Sequence, residues 1–263
     1  MKFDNVMVPV DGSTLSEVAV DLAIHSGGVF ATHLTFLFVV DLVECNKFGN
    51  VDPMMEAFKM KAEGKFCLER AAKLAEKAGI PYDTIMEEGN PWEIITEMSK
   101  EKDMMIMGVT GKSGMGSGRV GHTAEKVIEN SYCPVLTIRS GSRKLETILL
   151  PVSNKNMGAI DIAIETCKKI NGTLTVFSVR SKNYDANELV KEVSEKCSEA
   201  GINVLAEVGE GDVVEAIVSK SGMYDLVIMG TEGRSGLKKI LNGSVAERVM
   251  TNASCPVTIV RDF

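Results

Sequence analysis

Apolar residues in this chain cluster into short continuous runs separated by longer amphipathic stretches, and the alternation occurs twice over. Runs of roughly four to eight apolar residues bounded by turn formers read as strands buried on both faces. In the first half they lie near Asn5–Pro9, Leu34–Val40, Tyr82–Glu87, Met104–Gly108 and Val135–Arg139. In the second half they lie near Thr147–Pro151, Leu174–Val179, Asn203–Glu207, Leu226–Gly230 and Val257–Arg261. Helices fill the gaps. The longest is predicted over Ala57–Ala78, with Phe58, Phe66, Leu68, Ala71 and Leu74 as its apolar stripe and Gly79 as its C-cap. Asn90 and Pro91 suit an N-cap and a first helical position, and Asp212 suits the cap of the matching helix in the second half. Near-continuous apolar strands alternating with helices predict an α/β protein with doubly wound parallel sheets covered on both faces. Ligands in such sheets sit beyond the carboxyl ends of the strands.

The repetition extends to identities. Met104 to Arg139 and Leu226 to Arg261 align without a gap, sharing Ile-Met-Gly, Ser-Gly, Ala-Glu and Cys-Pro-Val followed by a terminal Arg. Val6 to Val10 matches Ile148 to Val152, and Ala19-Val20-Asp21 matches Ala159-Ile160-Asp161. A repeat this long is a duplicated domain rather than a solenoid unit. The expected domains are 1–141 and 142–263, joined at the short polar stretch Ser140 to Lys144.

Composition narrows the function classes. At 263 residues, with 44% hydrophobic and 25% charged residues, the chain can fill two ordinary cores. A formal net charge of −7 argues against a broad electrostatic grip on nucleic acid. No run of about 18 apolar residues suggests a membrane span. The first ten residues read as a strand rather than a secretory signal. The six cysteines form no Cys-x-x-Cys pair, so they read as buried thiols of a reducing cytoplasm rather than metal ligands. The methionines read mostly as core filler, although Met107 and Met229, each preceding a key glycine, could also edge a ligand pocket.

Two familiar phosphate motifs fail on inspection. Gly111-Lys112-Ser113 resembles the end of a P-loop, but Ile106 stands where the first glycine belongs. Gly116-x-Gly118-x-x-Gly121 has dinucleotide-loop spacing, but it does not directly follow the strand, no acid lies about 20 residues on, and the second half lacks it. Both halves instead keep Gly-x2-Gly-x9-Gly: Gly108, Gly111 and Gly121, then Gly230, Gly233 and Gly243. The first glycine ends a strand and the last precedes a helix. Glycine permits tight turns and close approach to a ligand, and a helix N-terminus offers N–H groups to an anion. The same features also describe a plain tight loop before a capped helix, with Ser244 as the cap. Duplication at fixed spacing favours the phosphate site.

These residues carry a resemblance. Pro-Val-Asp-Gly-Ser at 9–13, Gly-x2-Gly-x9-Gly-Ser at Gly230 to Ser244, and Cys-Pro-Val after the last helix resemble the universal stress protein family over nearly the whole chain, in two copies. The resemblance implies five-stranded sheets in the order 3-2-1-4-5, an adenine nucleotide alpha-hydrolase-like fold, and pairing of the two copies through their last strands. It implies binding of ATP or AMP in a stress-response or signalling role, with any Mg2+ or Mn2+ held mainly through the phosphates.

Residue by residue, the resemblance places Pro9, Val10 and Asp11 against adenine and ribose, and Val39 in the adenine pocket. Met107, Gly108, Gly111 and Gly121 match the phosphate loop. His122 stands where the family has Ser or Thr; it is either a phosphate ligand when protonated or a block, and Thr123 offers a hydroxyl one residue later. In the second copy Met229, Gly230, Gly233, Gly243, Ser244 and Val245 match the loop, and Arg234 adds positive charge. There Pro151 and Val152 are followed by Ser153 rather than Asp, and Ser178 is expected at the position of Val39. Two equal nucleotide sites are therefore not expected. A partner-binding protein with degenerate sites and a slow ATP-hydrolysing enzyme are the competing readings, and no His-Asp-Ser constellation repeats between the halves.

Overall fold

The computed structural model describes residues 3–30, 32–45, 52–111, 120–139, 145–153, 157–231 and 244–261. The chain divides into two compact units, Phe3–Cys133 and Pro134–Phe263.

The first unit contains β1 (Asn5–Pro9), α1 (Thr14–Phe30), β2 (His33–Asp41), α2 (Leu42–Cys45), α3 (Pro53–Ala78), β3 (Tyr82–Gly89), α4 (Pro91–Met98), β4 (Met104–Gly108) and α5 (His122–Asn130). Its strands lie in the order β3-β2-β1-β4, and every pair is parallel. The second unit contains β5 (Val135–Ile138), β6 (Thr147–Pro151), α6 (Met157–Ile170), β7 (Thr173–Val179), α7 (Ala186–Glu199), β8 (Asn203–Gly209), α8 (Val213–Ser221), β9 (Leu226–Gly230), α9 (Val245–Asn252) and β10 (Val257–Val260). Its order is β5-β10-β9-β6-β7-β8. Counted within the second repeat, β8-β7-β6-β9-β10 is the expected order 3-2-1-4-5. The fifth strand of the first repeat, β5, runs antiparallel to β10, with Thr137 opposite Val257. All other described pairs in this unit are parallel.

The core is made by the central strands. Val6, Met7 and Val8 of β1 and Ile148, Leu149 and Leu150 of β6 are fully buried. Each β1-type strand is pinned at its start by an aspartate one strand away. Asp103 Oδ2 accepts from the N–H groups of Asp4 and Asn5 at 2.9 and 2.8 Å. Asp225 Oδ2 does the same for Glu146 and Thr147, both at 2.9 Å. The Cys-Pro-Val turns are held the same way in both copies. Ser99 Oγ accepts from Tyr132 N–H, and Ser221 Oγ from Ser254 N–H, both at 2.9 Å. Cys133 and Cys255 lie buried in these turns, and burial pushes each thiol up to about 12.

The helices follow their local signals with three corrections. α3 starts at Pro53, four residues before the expected Ala57, because Asp52 caps it by accepting from Met54 N–H at 2.9 Å. Its buried face is Gly64, Leu68, Ala71 and Ala75, whereas Phe58 and Phe66 are exposed. Gly64 is the contact point: a side chain there would start 2.5 Å from the ring of Phe38 on β2. Gly79 ends α3 in the left-handed conformation, φ 69°. Asn90 occupies the cap of α4, but its side chain donates to Glu93 at 3.2 Å instead of capping the backbone. Asp212 does cap α8, accepting from Val214 and Glu215 N–H at 3.0 Å.

Candidate functional site

In the first unit, β1 and β4 are neighbours, and their carboxyl ends bring two predicted segments together. Past Pro9, the buried Val10 extends the ladder by donating its N–H to Leu37 at 2.8 Å. Asp11 then leaves the sheet and Gly12 turns the chain at φ 74°. Asp11 Oδ1 accepts from Ser13 N–H at 2.9 Å, and Ser16 Oγ lies 3.4 Å from Asp11 N as acceptor. A sharp turn before α1 thus fixes a half-buried carboxylate above the sheet.

The glycine loop begins on the next strand. A side chain at Gly108 would start 2.8 Å from Leu15 Cβ, so only glycine lets β4 end this close to α1. A side chain at Gly111 would start 2.6 Å from Asp11 Oδ2. The loop backbone therefore lies directly on the aspartate. Gly121 N–H donates to Val109 at 2.8 Å and joins the loop's two ends where α5 begins. Asp11, Gly108, Gly111 and Gly121 are thus assembled in one place. Val39 is half-buried near the end of β2, and Met107 is a buried strand residue. Lys112 to Arg119 lie outside the described residues.

The second unit keeps the frame and changes the groups. Val152 N–H donates to Phe177 at 2.8 Å, as Val10 does to Leu37. Ser153 is exposed at the position of Asp11. These ladder contacts equate Leu37 with Phe177, so Val39 corresponds to Val179 and Ser178 to Phe38. The expected match of Ser178 with Val39 was one residue out of register, and a one-residue slip moves a side chain to the other sheet face. Ser178 is buried and donates to Val152 at 2.8 Å. Tyr184 O–H donates to Val179 at 3.1 Å, and Val179 is 3% exposed where Val39 is half-buried. Pro151 and Gly230 end β6 and β9, and Met229 is buried. Gly233, Arg234 and Gly243 lie outside the described residues.

The departure at His122 has a structural consequence. In the second copy Ser244 caps α9, and its Oγ accepts from Glu247 N–H at 3.0 Å. That bond uses a lone pair and leaves the hydroxyl proton to donate. In the first copy the corresponding N–H, on Glu125, goes to the Gly121 carbonyl at 2.9 Å. α5 therefore starts one residue earlier, at His122, and Gly121 becomes a cap without a side chain. The His122 ring is exposed, and Thr123 sits inside the first turn rather than at the cap. Val245 is the first residue of α9 and is 41% exposed.

Among the described residues no three His, Cys, Asp or Glu side chains gather as a metal site. Nor is any described helix long and apolar enough to cross a membrane. Ser16 and Tyr184 shape the clefts but carry no sequence motif, whereas Ser13 closes the Pro-Val-Asp-Gly-Ser segment. The signal for Tyr184 is the difference between the copies, visible only once their register is known.

The model of the Universal stress protein family matches residues 2–139 and 144–261. A universal stress protein of Methanocaldococcus jannaschii is 33% identical over 147 residues, covering 54% of this chain and 85% of that protein. One from Mycobacterium tuberculosis is 23% identical over 288 residues, covering 99% of this chain and 98% of that protein. The crystal structure of a universal stress protein from Archaeoglobus fulgidus shares the fold with TM-score 0.83 at 22% identity, covering 99% of this chain and 97% of that one.

Proposed function

This chain belongs to the universal stress protein family, and we propose that it binds ATP or AMP as a stress-response or signalling module, with the first cleft as its principal site. The observation that carries this reading is the contact between Asp11 and the glycine loop. A side chain at Gly111 would start 2.6 Å from Asp11 Oδ2, so the glycine lets the loop backbone run close to the carboxylate without displacing it. In this reading one carboxylate, a bare backbone and the start of α5 make up a single nucleotide site. Asp11 suits ribose hydroxyls, since a carboxylate accepts two strong hydrogen bonds. The first N–H groups of α5 suit phosphate oxygens through their geometry and the helix dipole. Val39 and Met107 are the apolar groups assigned to adenine in this reading. A divalent ion would arrive with the triphosphate, which supplies most of its ligands.

The second cleft is unequal in chemistry. It has Ser244 at the phosphate end, but Ser153 replaces the aspartate and Tyr184 bonds back to the strand end beside Val179. Retained phosphate affinity with weaker nucleoside recognition is expected there. Equilibrium dialysis with labelled ATP and AMP in the presence of magnesium tests the reading. Binding that weakens at least tenfold in Asp11→Ala supports it. Absence of binding for both nucleotides at millimolar concentration overturns it.

A further inference from the structure

Beyond the nucleotide cleft, we propose that the outer edge of strand β8 joins two molecules of this chain into a twofold dimer. β8 is the last strand of its sheet and pairs only with β7 among the described strands. Arg180 N–H donates to the Gly209 carbonyl at 2.9 Å, so Gly209 turns its backbone toward β7. Alternation along the strand turns Asn203, Leu205 and Glu207 the same way. Val204, Ala206 and Val208 therefore present their N–H and C=O groups at the open edge, where a further strand would bond. Ala206 and Leu205 are both exposed, on opposite faces of this edge.

The two repeats treat the edge differently. Strand pairing equates Thr84 of β3 with Ala206 of β8. β3 carries three acids, Asp83, Glu87 and Glu88, and charge on an edge strand discourages pairing. β8 carries only Glu207, which is ion-paired with Lys220. It has no proline and pairs with β7 without a break from Asn203 to Gly209. An edge this regular is a template for another strand. Beside it runs a groove of about 630 Å³ between α7 and β8, lined by Val190, Ser194, Ala206 and Val208 among others. Ser194 Oγ is screened from solvent there without a hydrogen-bond partner.

The occupant that fits is β8 with α7 of a second molecule. A twofold axis beside Ala206, normal to the sheet, pairs Ala206 with its mate and Val204 with Val208 of the second molecule. These pairs are antiparallel and use only the outward-facing groups. The axis also keeps both α7 helices on one face of the joined sheet. α7 packs over β7 and β8 together. With strands about 4.8 Å apart, its mate runs about 10 Å away, the usual spacing of packed helices. The crossover makes α7 antiparallel to β8, so Lys191 lies nearer the Val208 end than Glu195 and Glu199 do. The twofold then sets Lys191 of each molecule beside Glu195 and Glu199 of the other. Within one molecule Lys191 reaches Glu195 only at 3.9 Å, on an exposed face.

One helix face and one strand per molecule make a small interface, so association in the micromolar range is expected. Sedimentation velocity of the full chain without nucleotide, from about 1 to 500 µM, reads it. Ala206→Pro removes an N–H that serves only the open edge and should weaken the dimer at least tenfold. Lys191→Glu should weaken it similarly, and adding Glu195→Lys should restore it. Circular dichroism melts verify that each variant is folded. Copper-phenanthroline oxidation of Ala206→Cys, in a Cys67→Ser background, should cross-link two molecules. Hydrogen-bonded antiparallel partners sit about 5.5 Å apart, the usual disulfide span. Thr84→Cys on β3 should not cross-link, nor should Val204→Cys alone, whereas Val204→Cys mixed with Val208→Cys should. A chain that stays monomeric at about 500 µM refutes the dimer. β8 is refuted as its seam if association ignores both Ala206→Pro and Lys191→Glu, or if Thr84→Cys cross-links as fast as Ala206→Cys.

Discussion

Gly111→Ala probes the contact on which the first cleft depends. The new Cβ would start 2.6 Å from Asp11 Oδ2, whereas ordinary contact begins at 3.4 Å. The oxygen must retreat by about 0.8 Å to reach the normal carbon–oxygen separation. Asp11 is short and its other oxygen holds Ser13 N–H at 2.9 Å, so the carboxylate has to rotate and release that bond. A hydrogen bond to a charged group contributes about 1.5–3 kcal/mol, so losing the aspartate's aim should weaken ATP roughly 10- to 100-fold. The φ of Gly111 lies outside the left-handed range, so backbone strain adds nothing. Isothermal titration calorimetry on wild type, Gly111→Ala, Asp11→Ala and the double variant separates the effects. Because the alanine acts through Asp11, it should cost less than about 0.5 kcal/mol once Asp11 is gone. An equal loss in both backgrounds would refute this, as would unchanged affinity in the single variant.

Other expectations concern the caps, the core and the thiols. His122→Ser should return Glu125 N–H to a side-chain cap as in α9 and tighten ATP at the first cleft about threefold or more, read by calorimetry; unchanged affinity would show that the extra helical residue does not matter. Ser244→Ala removes the acceptor for Glu247 N–H and should lower stability by about 1 kcal/mol in urea melts. Gly64→Ala should destabilise by about 1 kcal/mol in the same melts, since overpacking the buried Phe38 ring costs about 1–3 kcal/mol while the gain in helix propensity is only about 1. Burial raises Cys133, Cys167 and Cys255 to about 12 and Cys197 to about 11 from 9.0. Above pH 9 the unfolded chain therefore releases thiol protons that the folded chain keeps, and stability falls as pH rises through this window. Replacing these four cysteines by alanine should flatten the decline between pH 9 and 11; an identical decline would contradict the linkage.

The strands and most helices could be read from the sequence because hydrophobic runs and turn residues act locally. What failed was relational. The Phe58–Phe66 stripe is apolar but faces solvent, since the close approach of β2 at Gly64 sets the rotation of α3. The start of α3 was missed although Asp52-Pro53 carries the same signal as Asn90-Pro91. In the site, aspartate and glycines could be named from their pattern, but the packing of Gly111 on Asp11 joins residues far apart in sequence. Likewise Ser178 was displaced by one residue because apolar β2 and β7 offer no internal marker of register. Asp103 and Asp225, which pin the first strand of each copy, carry no motif at all.

The most direct measurement is a crystal structure grown with millimolar ATP and magnesium. The ribose is expected within hydrogen-bond distance of Asp11, with the phosphates at the N-terminus of α5 beyond Gly108 and Gly111, and lower occupancy in the second cleft. Nucleotide bound elsewhere, with Asp11 and the start of α5 both facing solvent alone, would contradict the assignment of the first cleft as the principal site.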